Sequence, residues 1–283
     1  MVKEAIKKAD VLIEALPYIK TFHKKIFVIK YGGSILSEDR VRKSVLEDIV
    51  FLRYTGIMPI LVHGGGPNIT EKLKEHKITT EFFDGMRVTD EFTLKIVEEE
   101  LNELNDLIVK EINAYGAHAQ GFKKEDQLLI AAKKRTKKDL GFVGEVVDYD
   151  KTKLEQALEK SIPVITPMGI SREGVAYNIN ADDVAFFLAS RLNAEKLVLL
   201  TNTLGVMRNP QDENSLISTI TVKNADDLID KKVISEGMIP KVRAAVKSIE
   251  EGVGKAHIVD AKIPHAILLE IFTNEGIGTE IIK

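Results

Sequence analysis

Ile26-Phe27-Val28-Ile29-Lys30-Tyr31-Gly32-Gly33 and, further along, Pro59-Ile60-Leu61-Val62-His63-Gly64-Gly65-Gly66-Pro67 share one plan: an apolar run, a glycine cluster, then helix signals. Short runs rich in Val, Ile and Leu, closed by glycines, predict buried strands, here 26–30 and 59–62. After the first, Ser37 is the expected N-cap of a helix, with Glu38 and Asp39 in its first turn. After the second, Pro67 stands where a helix can begin.

The same alternation extends in both directions. An amphipathic helix over 4–22 precedes the first strand; its stripe of Ala5, Ala9, Leu12, Ile13, Leu16 and Ile19 is interrupted by Pro17. Downstream, the pattern predicts a helix over 90–114, hairpin-like strands through 117–150, a helix over 151–160 and a strand over 164–167. It continues with a helix from Asp182, a strand over 196–201, a helix from Lys241, a strand over 256–259 and a final helix and strand. Such alternation implies an α/β protein: a three-layer α/β/α sandwich around a mostly parallel central sheet. In these sheets ligands bind beyond the carboxyl ends of the strands, where both glycine clusters fall.

A chain of 283 residues, 44% hydrophobic and 29% charged, is long enough for one large domain or two lobes with a cleft between them. A formal charge of -3 excludes a domain-wide basic surface, so no nucleic-acid partner is expected. The run Lys133, Lys134, Arg135, Lys137 and Lys138 has acidic neighbours and reads as a solvated loop. Without cysteine, disulfides, thiol catalysis and zinc-thiolate sites are excluded. The charged start, Met1 to Asp10, has no apolar core of signal-peptide length, and no later stretch is a membrane span; a cytoplasmic location is expected. Asn68-Ile69-Thr70 is then a chance glycosylation match.

Glycines after a strand let backbone amides and a helix N-terminus approach an anion. Two clusters at equivalent strand ends suggest two anionic groups or one extended phosphate chain. No G-x-x-x-x-G-K-[ST], G-x-G-x-x-G or G-x-S-x-G pattern occurs. Lys30 ends its strand just before the glycines. Lys241 opens a helix, where a cation is unfavourable unless an anion is near. Asp182 and Asp183 begin another helix and read first as caps. Arg87, in Gly85-Met86-Arg87-Val88-Thr89-Asp90, is either a carboxylate fork or a surface residue. The histidines lack paired metal-ligand spacing, and His63, beside its glycines, is expected to be hydrogen-bonded rather than metal-bound.

Taken in order, Val28-Ile29-Lys30-Tyr31-Gly32-Gly33, Val62-His63-Gly64-Gly65-Gly66-Pro67, Gly85-Met86-Arg87-Val88-Thr89-Asp90, Tyr177-Asn178-Ile179-Asn180-Ala181-Asp182 and Gly237-Met238-Ile239-Pro240-Lys241 resemble the signature of acetylglutamate kinases. The tail, from His265 to Phe272 and from Gly276 to Thr279, is similar to that family too, so the resemblance spans essentially the whole chain. It implies the amino-acid kinase fold, with an acyl-amino-acid lobe at 25–180, a nucleotide lobe at 181–283 and an oligomerisation helix at 1–24. It implies transfer of the ATP γ-phosphoryl to the side-chain carboxylate of N-acetyl-L-glutamate, in arginine biosynthesis, with Mg²⁺ carried by ATP and no protein metal cage.

By resemblance, Lys30 and Lys241 stabilise the transferring phosphoryl and Asp182 holds both lysines. Gly65, Gly66, Arg87 and Asn178 contact acetylglutamate, with Arg87 on the α-carboxylate. Gly32, Gly33, Gly64, Asn202 and Gly205 fall to the phosphoryl group and nucleotide. The N-terminal helix is similar to that of hexameric, arginine-inhibited kinases. That likeness implies a trimer of dimers, with Tyr18, Glu270 and Gly278 near an L-arginine effector.

Three stretches depart from the family pattern. Glu103-Leu104-Asn105-Asp106 stands where a Gly-Lys-x-Asn-Lys stretch is usual, and Gly121-Phe122-Lys123-Lys124-Glu125-Asp126 where Gly-Leu-x-Gly-Lys-Asp is usual. Both point to a changed acyl group or acceptor length, hence a kinase of another acylated glutamate or of aminoadipate as the alternative. Asn202, where an aspartate is usual, points to weaker ATP binding. A weakly active arginine-sensing subunit is the further alternative, against which Lys30, Lys241 and Asp182 all count.

Overall fold

The computed structural model describes residues 2–32, 38–209, 211–234, 238–273 and 275–283. Ser37, Gly33 and Gly237 lie outside them. The chain opens with α1 (Val2–Phe22), β1 (Ile26–Tyr31), α2 (Asp39–Tyr54), β2 (Met58–His63) and α3 (Gly66–Glu75). A short ribbon, β3 (Phe82–Phe83) and β4 (Met86–Arg87), leads to α4 (Glu91–Ala114). Asp90 starts that helix by accepting the Thr93 amide. Next come β5 (Ala119–Phe122), β6 (Leu129–Lys133), β7 (Val143–Tyr149), α5 (Lys151–Lys160), β8 (Ile162–Ile165), β9 (Met168–Ile170) and β10 (Ala176–Ile179). The rest is α6 (Ala181–Arg191), β11 (Lys196–Thr201), β12 (Thr219–Thr221), α7 (Val222–Asp230), α8 (Ile239–Glu250), β13 (Lys255–Asp260), α9 (Ala266–Ile271) and β14 (Thr279–Ile282).

Eight strands form one continuous sheet in the order β12-β14-β13-β11-β1-β2-β8-β5. Every neighbouring pair is parallel except β13 with β14. Strand β1 lies between β2 and β11, so the order reverses about it and leaves a crevice beyond its carboxyl end. β6, β7, β9 and β10 close on one another as a separate small barrel.

Side chains alternate between faces along a strand. Phe27, Ile29 and Tyr31 of β1 join the core under α2, α4 and α9, while Val28 joins the core under α5, α6, α7 and α8. On β2, Leu61 belongs to the first side, Ile60 and Val62 to the second. Each fully buried Leu or Ile here adds about 1.5–3 kcal/mol. The same parity fixes the chemistry: Lys30 stands on the face of Val28, toward α6 and α8.

Several expectations need correction. Pro17 does not interrupt α1: the helix runs through it, and Ala15, Tyr18, Ile19 and Phe22 hold its second half on the core. Glu38 occupies the N-cap position of α2 without a capping side-chain bond. The strand expected at 164–167 is shifted back to Ile162–Ile165. Within 117–150, only β6 and β7 form a hairpin; β5 joins the main sheet, parallel to β8. Strand β12 and helix α7 have no counterpart among the expected elements. Their signal is a reciprocal cap between Thr221 and Asn224, with Asn in place of the more usual Glu or Gln. Among the described residues no helix is long and apolar enough to cross a membrane.

Candidate active site

The crevice beyond β1 is a cavity of about 570 Å³, within the size range of small-molecule sites. Lys30, Gly64, Gly65, Gly66, Arg87, Asn178, Asp182 and Lys241 all line it. Eight residues expected to act on the acceptor or the transferring phosphoryl, from six separate segments, are thus brought to one place.

At its head, Asp182 lies between the two lysines. Lys241 Nζ donates to Asp182 Oδ2 at 2.9 Å. Lys30 Nζ stands 2.9 Å from Oδ1, an ion contact without hydrogen-bond alignment. Asp182 is not the cap of α6: Asn180 is, its side-chain oxygen accepting the Asp182 amide at 2.8 Å. The aspartate is therefore free to face the lysines. Burial alone would raise its carboxyl pKa, but the ammonium groups of Lys30 and Lys241 outweigh this and hold it below the usual range. Lys241, in the first turn of α8, has the Asp182 carboxylate as the anion its position calls for. Two cations share one anion, so the cluster keeps an excess positive charge facing the cavity.

Arg87 forms part of another wall and is 7% exposed. Its guanidinium donates to Thr70 Oγ1 (2.8 Å), the Gly66 carbonyl (3.0 Å) and Thr80 Oγ1 (3.2 Å), and lies 4.8 Å from the Phe82 ring centre. These acceptors are all neutral. Burial lowers the Arg87 pKa from its ordinary value, and the fork remains a buried cation suited to an anionic group. Asn178 donates to Thr89 Oγ1 at 3.2 Å, which in turn donates to the Arg87 carbonyl at 2.8 Å.

Gly32 and Gly64 let the ends of β1 and β2 meet. A Cβ on Gly32 would come within 2.9 Å of Lys30 Nζ, and one on Gly64 within 3.4 Å of the Gly32 Cα. The Gly64 amide donates to the Tyr31 carbonyl at 2.8 Å. Gly33 lies outside the described residues. Asn202 follows β11 at the same edge of the sheet but does not line the cavity, nor does Gly205. Gly205, at φ +152°, is required by packing, since a Cβ there would lie 2.6 Å from Thr279 Oγ1.

Sequence reasoning missed the apolar wall of Ile69, Phe82, Met86, Leu101 and Phe186. Only a three-dimensional neighbourhood identifies these side chains. It also read Lys134 as part of a solvated run, whereas Lys134 Nζ reaches Asp183 Oδ2 at 2.5 Å, at the start of α6. The departures at 103–106 and 121–126 contribute no residue to the cavity lining. They contact each other instead, through Lys123 Nζ and Asp106 Oδ1 at 2.7 Å.

Glu270 and Gly278 meet, and neither they nor Tyr18 lines the cavity. The Tyr18 ring packs edge-on to Phe272 at 6.3 Å. Glu270 is buried and accepts the amides of Ile277 and Gly278 at 2.8 and 2.9 Å. Its other oxygen lies 2.7 Å from His257 Nδ1, and His257 Nε2 lies 2.8 Å from Lys196 Nζ. Burial, with Lys196 beside it, lowers the His257 pKa from its ordinary value against the opposing bond to Glu270. Burial pushes Glu270 up, but His257 and the two amides hold it below the ordinary carboxyl range.

Residues 25–260 match the amino acid kinase family. The acetylglutamate kinase of Petrotoga mobilis is 46% identical over 283 residues, covering 99% of this chain and 95% of that one. Among solved structures, N-acetylglutamate synthase from Neisseria gonorrhoeae with coenzyme A and N-acetyl-glutamate superposes with a TM-score of 0.87 at 26% identity. It covers 97% of this chain, which spans 63% of the synthase. The same synthase with coenzyme A and L-arginine gives a TM-score of 0.83 at 25% identity, covering 97% of this chain and 65% of that one.

Proposed function

This chain belongs to the amino acid kinase family and, within it, to the acetylglutamate kinases; from that premise we propose that it phosphorylates the side-chain carboxylate of N-acetyl-L-glutamate. The observation that carries the reading is the pairing of two cationic ends in one cavity: Lys30 and Lys241 on Asp182, and a buried Arg87 bonded, among the described residues, only to neutral acceptors.

A side-chain carboxylate is ionised at neutral pH, so the acceptor needs no general base. Its oxygen forms a bond to the γ-phosphorus as the bond to the ADP oxygen breaks. The products are N-acetyl-L-glutamyl 5-phosphate and ADP, a step of amino-acid biosynthesis. Catalysis is then positioning and charge stabilisation. Lys30 and Lys241 stabilise the phosphoryl oxygens, Asp182 fixes the lysines, and Gly32, Gly33 and Gly64 leave room for the phosphates. Gly65, Gly66 and Asn178 hold the acceptor, and Arg87 takes its α-carboxylate. Asn202 and Gly205 face the nucleotide. Mg²⁺ enters as MgATP; Asp182 and Asp183 are each already paired with lysine, which suits a metal held by nucleotide oxygens. Residues 25–180 serve as the acyl-amino-acid lobe and 181–283 as the nucleotide lobe, in the cytoplasm.

With MgATP, N-acetyl-L-glutamate and hydroxylamine, the protein is expected to yield a hydroxamate by trapping of the acyl phosphate. Product from another acylated glutamate or from aminoadipate, but none from acetylglutamate, transfers the reading to that acceptor. Arg87→Ala is expected to weaken acetylglutamate binding by about 2–3 kcal/mol, through loss of a bidentate charged contact, with a smaller change in turnover. Calorimetry with acetylglutamate checks this; unchanged affinity makes Arg87 a purely structural tie between β4 and α3.

The same reading includes a hexamer built as a trimer of dimers through residues 1–24 and inhibited by L-arginine beside Tyr18, Glu270 and Gly278. Ile6, Ile13 and Leu16 of α1 are more than half exposed, an apolar stripe suited to a partner subunit. The L-arginine in the related synthase supports the effector. Light scattering and activity titration are expected to show an arginine-inhibited hexamer, and a smaller, insensitive assembly for a variant starting at His23. A full-length dimer indifferent to millimolar arginine ends this part of the proposal.

A further inference from the structure

His63 ends β2 and is completely buried. By strand parity its ring falls on the side of Leu61, under α4, and not on the side of Val62, where Lys30 and α6 face the cavity. Asn105 of α4 meets it there. The Asn105 amide nitrogen lies 3.1 Å from His63 Nε2 and 2.9 Å from the Val164 carbonyl. That second contact fixes the amide: turned over, its oxygen would face the Val164 oxygen. Nitrogen therefore points at Nε2, which must accept.

An imidazole that accepts at Nε2 carries its proton on Nδ1. His63 Nδ1 lies 3.2 Å from the Gly64 carbonyl oxygen and so donates to it. Burial, opposed by this bond, holds the ring pKa down to about 4, so the neutral form persists at physiological pH. Among the described residues the Asn105 oxygen is left buried without a partner, beside Gly121, where a Cβ would come within 2.2 Å of it. Such an orphan is costly and persists only where the rest of the network holds the amide in place.

In a trans peptide, C=O and N–H point in opposite directions. Drawing the Gly64 carbonyl toward the imidazole turns the Gly65 N–H the other way, to the face of Lys30, Asp182 and Lys241. No acceptor among the described residues takes that N–H. We propose that His63 and Asn105 are positioning residues, which aim the Gly65 amide at the oxygens of the transferring phosphoryl or its acceptor. The catalytic arm of the test rests on the kinase reading; the tautomer does not.

Two measurements decide it. Nitrogen-15 spectra of histidine-labelled native protein are expected to show the His63 ring, assigned by the signals missing from the His63→Asn variant, protonated on Nδ1 and unchanged from about pH 6 to pH 8. His63→Leu is expected to lower kcat about 10- to 100-fold, with a smaller change in KM for acetylglutamate, as loss of an aimed amide donor would. His63→Asn, whose amide nitrogen reaches the place of Nδ1, is expected to recover most of kcat. A His63 ring protonated on Nε2 overturns the proposal, as does a folded His63→Leu protein with native kcat, or an Asn variant no better than Leu. If the Leu variant does not fold, the tautomer and the Asn variant decide. Wild type that phosphorylates no acceptor defeats the kinase reading instead, and the tautomer alone then judges the network.

Discussion

Lys30→Ala is expected to lower kcat by about 10³-fold, while KM for ATP and acetylglutamate moves by only a few-fold. The expectation follows from where the ammonium stands. Strand parity sends Lys30 to the α6–α8 face, 2.9 Å from Asp182, on the lining of the cavity. A charge placed there gains most when negative charge shifts to the oxygens between donor and acceptor. It therefore acts on the chemical step more than on binding. Lys241→Ala is expected to follow with a smaller loss, because the amides at the start of α8 still present positive partial charge. Steady-state hydroxamate assays check both, and an unchanged kcat removes that lysine from the reacting centre.

Asp182→Asn is expected to lower kcat on the order of 10²-fold and to destabilise the fold by about 1–3 kcal/mol. The carboxylate holds two ammonium groups that otherwise repel each other. The loss stays below that of a fully buried pair because the side chains of Lys30 and Lys241 keep 14% and 28% of their exposure. The effect depends on pH with a definite sign. The Asp182 pKa is depressed on folding, so its contribution is complete above the unfolded carboxyl value of about 4 and is lost as pH falls through the folded value. Denaturation midpoints of wild type and variant are thus expected to converge in acid and to separate near neutrality. A constant difference across that range shows that the pair with the lysines does not set the stability.

The reach of the sequence is clearest at β1. Its apolar run and its glycines specified a buried strand that ends, with Lys30, at the cavity. Lys241 was legible for an electrostatic reason, a cation at the wrong end of a helix. Asp182 was ambiguous, because a first-turn aspartate is a cap as readily as a ligand; only Asn180 taking the cap released it. The apolar wall, and the pairing of Lys123 with Asp106, join residues distant in sequence by packing that no local pattern encodes. Strand β12 escaped because three residues are too few for a period. Pro17 misled because tertiary packing of Tyr18, Ile19 and Phe22 outweighs a local break.

Strand β14 lies between β12 and β13, although it follows both in the chain. Among the described residues β12, at 219–221, pairs only with β14, at 279–282. Until that later segment arrives, β12 has no ladder, and one edge of β13 shows unpaired backbone groups. The outer margin of the sheet therefore closes by a long-range contact whose loop entropy must be met before any of its hydrogen bonds form. Thr279 locks the margin from inside, its hydroxyl accepting the Val206 amide at 2.8 Å and donating to the Ile217 carbonyl at 2.7 Å. On a ribosome, where residues emerge in order, the neighbourhood of Asn202 and Gly205 would thus take shape only after residues 279–282 had emerged.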